Sequence, residues 1–145
     1  MTRRRIAIGS DSNIRISLSK EMRTLEYSQR LRDRSRVVLA DKGRSSGRYI
    51  FDAITEGGAM AARRMTGKIA KGYWADLMVL DNDAIQLAGR DGDTIIDSFV
   101  FAGDDRLISD VWSAGRHMVQ NGQYTARDII TANYRTALES LSDVI

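Results

Sequence analysis

The sequence predicts an α/β chain in which one strand leads into helices, a cluster of strands follows, and a helix closes the molecule. Three observations carry this. Leu107 to Ser113 and Arg116 to Val119 flank Ala114-Gly115 in the pattern of a hairpin. Ala75 to Asp81 is a short, mainly apolar run bounded by turn residues, the composition of a buried strand. Ile130, Tyr134, Ala137, Leu138 and Leu141 recur at helical spacing and form one apolar face.

Taken in order, Arg5-Ile6-Ala7-Ile8 reads as a short strand closed by Gly9. Ser10-Asp11-Ser12-Asn13 is the small polar chemistry of a loop at a strand end. Ser19 is placed to cap a helix, with Glu21 in its first turn and Met22, Leu25 and Leu31 as a weak apolar stripe. Asp41 to Gly47 reads as a loop. Tyr49 to Arg64 is helical in composition but interrupted by Gly57-Gly58, which predicts a helix–turn–helix, since two interior glycines cost about 2 kcal/mol relative to alanine. Gly67 to Gly72 is a turn-rich link. Ile95 to Ala102 reads as a further strand ended by Gly103, and Asn121-Gly122 as a second tight turn. Thr125-x-x-Asp128 resembles a capping box for the last helix. A lone first strand cannot satisfy its own backbone groups, so the expectation is that the natural protein continues upstream.

Bulk properties exclude several classes. With 43% apolar and 28% charged residues among 145, the chain is in the globular range. It has no apolar run approaching a membrane span and no signal peptide, so no membrane partner is expected. The absence of cysteine rules out disulfides and thiolate metal sites and fits a cytoplasmic location. The net charge of +3 conceals an asymmetry: residues 1–48 carry 13 Lys/Arg against 5 Asp/Glu, and the remainder 9 against 14. Arg30 to Arg48 contains none of the aromatics on which single-stranded bases stack, which argues against nucleic acid.

Asp11 is the one candidate for chemistry. A carboxylate on a small-residue turn at the C-terminal end of a strand is placed to bind a metal or act as a base, as at that end of parallel barrels. It is also placed to start an Asx-turn. Arg15 and Arg23 have the forked geometry that suits a carboxylate, but arginines at such positions commonly pair with a nearby Glu. His117, the single histidine, has no second ligand at metal spacing and reads as structural. Trp74, Trp112 and Phe101 read as core of the strand cluster. No dinucleotide fingerprint, P-loop or HExxH is present.

Taken together, three segments resemble the amidohydrolase superfamily along almost the whole chain, from about Arg5 to Leu141. Gly9-Ser10-Asp11 is similar to the end of the eighth barrel strand. Gly67-x-Ile69-x-x-Gly72-x-x-Ala75-Asp76-Leu77-x-Val79-Leu80-Asp81 is similar to the passage from barrel to β-sandwich. Val111-Trp112-x-Ala114-Gly115-Arg116-x-x-Val119-x-x-Gly122 is similar to a sandwich hairpin. Within the superfamily, Gly9 to Asn13 followed by Glu21-Met22-Arg23-x-Leu25-Glu26-Tyr27-x-Gln29-Arg30-Leu31 most resembles the formimidoylglutamate deiminases.

The resemblance implies the C-terminal part of a (β/α)8 barrel over residues 1–66, a composite β-sandwich over 67–124, and a C-terminal helix over 125–145. It implies a zinc-dependent hydrolysis of N-formimino-L-glutamate, a small-molecule substrate, and a homo-oligomer. Asp11 would be both metal ligand and proton carrier. The family's metal histidines and catalytic carboxylate would lie upstream, so zinc is expected in the complete enzyme and not on this chain alone. Two other readings stay open: a superfamily aminohydrolase acting on a purine or pterin ring, and a stand-alone interaction module without catalysis.

Overall fold

The computed structural model describes residues 6–142. The first helix, α1 (Leu18–Asp33), buries Ser19, Met22 and Glu26, which recur at i, i+3 and i+7. Its cap is Ser17 and not the expected Ser19: the Ser17 hydroxyl accepts from the Lys20 amide at 3.2 Å. Ser19 is instead buried, and its amide donates to Asp105 at 3.0 Å, so a tertiary partner claims the residue that looked like a local cap. Leu31, expected on the apolar stripe, is 82% exposed.

The second helix, α2 (Ser46–Ala61), runs unbroken through Gly57-Gly58, against the helix–turn–helix expectation. The reason is close packing. A Cβ on Gly57 would lie 2.0 Å from the Ile6 carbonyl oxygen, so the missing side chain lets the helix press directly onto the Ile6 backbone. Helix α3 (Gly92–Asp97) replaces the strand expected from Ile95 to Ala102. Its β-branched residues suggested a strand, yet Asp91 and Thr94 close a capping box and start a helix. A π-turn follows at Ser98–Ala102, closed by the Gly103 amide on the Ser98 carbonyl at 2.7 Å. It places Ser98, Phe99 and Val100 in the interior against α1 and α2.

The strands are β1 (Leu77–Leu80), β2 (Ile108–Ser113), β3 (Arg116–Gln120) and β4 (Gln123–Tyr124). They form one antiparallel sheet in sequence order. Both expected turns are present. Ala114-Gly115 has φ of 51° and 78°, and Asn121-Gly122 has φ of 49° and 73°, the handedness that suits two-residue hairpins. Asp76 joins the sheet to its approach. Its carboxylate accepts from the Thr66 hydroxyl at 2.6 Å and the Ala114 amide at 2.7 Å, and these bonds hold it below the usual carboxylate range. The turn-rich link and the hairpin, far apart in sequence, thus meet at one side chain.

The last helix, α4 (Arg127–Leu141), matches the expected apolar periodicity. Its cap is Ala126, with no side-chain bond, so the expected Thr125–Asp128 box does not form. None of its residues is buried. Among the described residues the core centres on Met22, Ile50, Ile54, Phe99, Val100 and Leu107, where α1, α2 and the π-turn converge. Trp74 lies outside it, half exposed with the Arg64 guanidinium 4.4 Å from its ring, and Phe101 packs at its margin on the π-turn, not on a strand. No helix of the described residues is long and apolar enough to cross a membrane.

Candidate functional site

Ile6 to Gly9 is without regular secondary structure, although its burial alternates: Ile6 and Ile8 pack onto the core while Ala7 and Gly9 face outward. The expected strand is therefore not paired among the described residues, and Arg5, its first residue, lies outside them. A strand is defined by its ladder, and the described residues offer the run no neighbouring strand.

The alternation carries Asp11 to the outward side. Ser10 to Asn13 forms a tight turn closed by the Asn13 amide on the Ser10 carbonyl at 2.9 Å. Asp11 occupies its left-handed position, with φ of 44°. Asp and Asn tolerate that region better than other L-residues, so the type of residue suits the backbone as well as the chemistry. Its carboxylate is exposed and makes no hydrogen bond or ion pair among the described residues.

The residues on either side are tied down. The Ser10 hydroxyl accepts from the Ser17 amide at 3.4 Å, and the Asn13 side-chain amide donates to Glu21 at 3.0 Å. Sequence spacing did not disclose this arrangement. Asn13 and Glu21 flank the cap at Ser17 symmetrically, which becomes visible only once the helix start is placed correctly.

Helix α1 is anchored in turn. Arg23 donates through Nε to the Val100 carbonyl at 2.8 Å and through Nη2 to that of Gly103. These are carbonyls at the end of a helical segment, which need outside donors, and Arg23 satisfies them instead of presenting a free fork to a substrate. Arg15 is 65% exposed and lies 4.0 Å from Asp104. Asp104 is held mainly by Arg106, whose side chain and amide both donate to it, and its carboxyl is held down to about 2.

His117 lies on β3, within the sheet. It pairs with Asp110 at 2.7 Å and stacks on its cross-strand partner Trp112 with ring centroids 4.0 Å apart. The Ser109 hydroxyl and then the His117 ring hold the Asp110 carboxyl below its usual range. Among the described residues, no three His, Cys, Asp or Glu side chains group closely enough to hold a metal ion. Asp11 is chemically suited to be one oxygen ligand of zinc, and a tetrahedral site needs at least two more from protein.

The family model described as "Amidohydrolase family" matches residues 3–118, a span that includes Asp11. A formimidoylglutamate deiminase of Pseudomonas aeruginosa is 41% identical over 140 residues, 96% of this chain and 31% of that protein. The crystal structure of an amidohydrolase from Brucella melitensis superimposes with a TM-score of 0.82 at 37% identity, covering 94% of this chain and 30% of that one. A zinc-bound adenosine deaminase from Xanthomonas campestris superimposes at 0.74 with 22% identity, over 93% of this chain and 30% of that one, a likeness of fold. The chain thus spans about a third of the length of these relatives. It belongs to the amidohydrolase family.

Proposed function

We propose that this chain forms the C-terminal part of a zinc-dependent hydrolase that converts N-formimino-L-glutamate to N-formyl-L-glutamate and ammonia. The observation that carries the reading is the 41% identity to a formimidoylglutamate deiminase over 96% of the chain. In this reading residues 1–66 are the tail of a (β/α)8 barrel, 67–124 contribute to a β-sandwich, and 125–145 are the closing helix. The extended, alternately buried and unpaired run Ile6–Gly9 supports the first assignment, because a neighbouring barrel strand would complete its backbone bonds. The four-stranded sheet supports the second as one face of a sandwich.

Asp11 would supply one carboxylate ligand to the metal, and the remaining ligands would come from residues beyond those described. Zinc, when bound, supplies a water acidified toward neutrality. In this reading the Asp11 carboxylate would carry a proton to the leaving nitrogen, serving as base and then as acid. Its exposure, with no partner among the described residues, leaves it available for both tasks.

The test uses the full-length protein with zinc and N-formimino-L-glutamate, with ammonia release as the readout. Turnover is expected there and from no purine or pterin offered in parallel; preference for a ring substrate would replace the substrate assignment. Asp11→Asn is expected to lower kcat by at least about a thousandfold, given the rate a metal-activated water contributes. Retained activity would remove Asp11 from the mechanism. The 145-residue chain alone is expected to release no ammonia.

A further inference from the structure

We propose that Asn13 and Glu21 are positioning residues that hold the Asp11 carboxylate in place for the metal, an inference that rests on the role given to Asp11 above. The Asp11 side chain has no internal partner among the described residues, so its direction is set by the backbone turn that carries it. That turn is fastened at two points. One is the Ser10 hydroxyl on the Ser17 amide, which at 3.4 Å is long for a hydrogen bond. The other is the Asn13 side-chain amide on the Glu21 carboxylate, at 3.0 Å and assisted by charge.

The second fastening has a firm base. Glu21 lies in the first turn of α1, where the helix dipole favours its negative charge. The same helix is fixed on its core side by Arg23 on the Val100 and Gly103 carbonyls and by the Ser19 amide on Asp105. Asn13–Glu21 therefore transmits the rigidity of the α1 interface to the turn that presents Asp11. Groups that orient a metal ligand from behind commonly change metal affinity by about 10- to 100-fold when removed. Here the support acts through the turn and not through the carboxylate itself.

A rival explanation is that Glu21 merely stabilises α1 by its charge, and the variants separate the two. The measurement is zinc affinity of the full-length protein by competition with a chromophoric chelator, alongside its thermal midpoint. Asn13→Ala and Glu21→Ala are each expected to weaken zinc binding about 10- to 100-fold. The double variant should be no weaker than the worse single one, since both remove the same bond. Glu21→Gln keeps an acceptor oxygen without the charge and should restore zinc affinity, though not the dipole contribution to stability. Zinc affinity unchanged in Asn13→Ala, or lost in Glu21→Gln as fully as in Glu21→Ala, would overturn the proposal. Asn13 lies outside every helix, so its variant carries the test even if Glu21→Ala fails to fold. Asp11→Asn serves as the control: wild-type zinc affinity in that variant would show that the role of Asp11 had failed instead.

Discussion

Glu26 shows how a charged side chain becomes part of a protein interior. It is fully buried, yet its carboxylate accepts from Arg30 Nε at 2.8 Å and from the amides of Val38 and Leu39 at 3.1 and 2.8 Å. No buried side-chain polar atom among the described residues lacks a partner, and Glu26 is the main reason the 37–39 segment can lie against α1. Glu26→Ala would strand two amides and a guanidinium, and is expected to cost about 2–4 kcal/mol in urea unfolding. A loss below about 0.5 kcal/mol would show that water replaces the carboxylate freely. Asp104 makes a second residue-scale prediction. Its carboxyl, held down to about 2 by Arg106, lies below the value near 3.9 expected of an unfolded aspartate. The stabilisation is therefore present above about pH 4 and lost as pH falls toward 2. Carboxyl NMR should find the Asp104 midpoint near 2; a midpoint in the ordinary range would contradict the Arg106 contacts. Arg30 lies at i+4 from Glu26 on the same helix, a local spacing, whereas the Val38 and Leu39 amides reach it through a turn whose direction composition does not encode.

At the scale of elements, α2 separates propensity from packing. Gly57 and Gly58 are adjacent and equally unfavourable in a helix, but their surroundings differ. A Cβ on Gly58 would meet nothing within 4 Å, whereas one on Gly57 would strike the Ile6 backbone. Gly58→Ala is expected to stabilise the chain by about 0.5–1 kcal/mol. Gly57→Ala is expected to destabilise it by about 1–3 kcal/mol despite the same gain in helix propensity. Thermal unfolding of the two variants, compared side by side, gives the signs; two shifts in the same direction would refute the close approach of Ile6. The hairpin at Ala114-Gly115 and the stripe of α4 were legible because turn residues and helical periodicity are local signals. The stretch from Ile95 to Ala102 was not. Its branched and aromatic residues favour a strand, and burial between two helices overrode that preference.

Considered as a whole molecule, the chain leaves an unusual amount of apolar surface in water. Ile14, Ile16, Ile69 and Ile85 are each more than four-fifths exposed, and Ile130, Tyr134, Leu138 and Leu141 on one face of α4 are exposed as well. Exposed apolar surface on this scale drives association. The 145-residue chain expressed alone is expected to self-associate and bind a hydrophobic dye, by light scattering and fluorescence, whereas the longer protein proposed above should do so much less. A monodisperse, dye-silent isolated chain would mean that these faces are tolerated in water.

The sequence by itself determined the order of most elements and both tight turns, and its resemblance to a known family pointed to the amidohydrolases and to Asp11 as a candidate. The elements and turns rest on residue type and short spacing, which are written directly along the chain. Only the tertiary structure decided that α2 is continuous, that Ile95 to Ala102 is helical, that Ser17 and not Ser19 starts α1, and that Asn13 bonds Glu21 across that helix start. Each depends on which backbone lies opposite which side chain. The Ile6 carbonyl against Gly57 and the Asp105 carboxylate against Ser19 are contacts between residues 51 and 86 positions apart, and local periodicity carries no information over that distance.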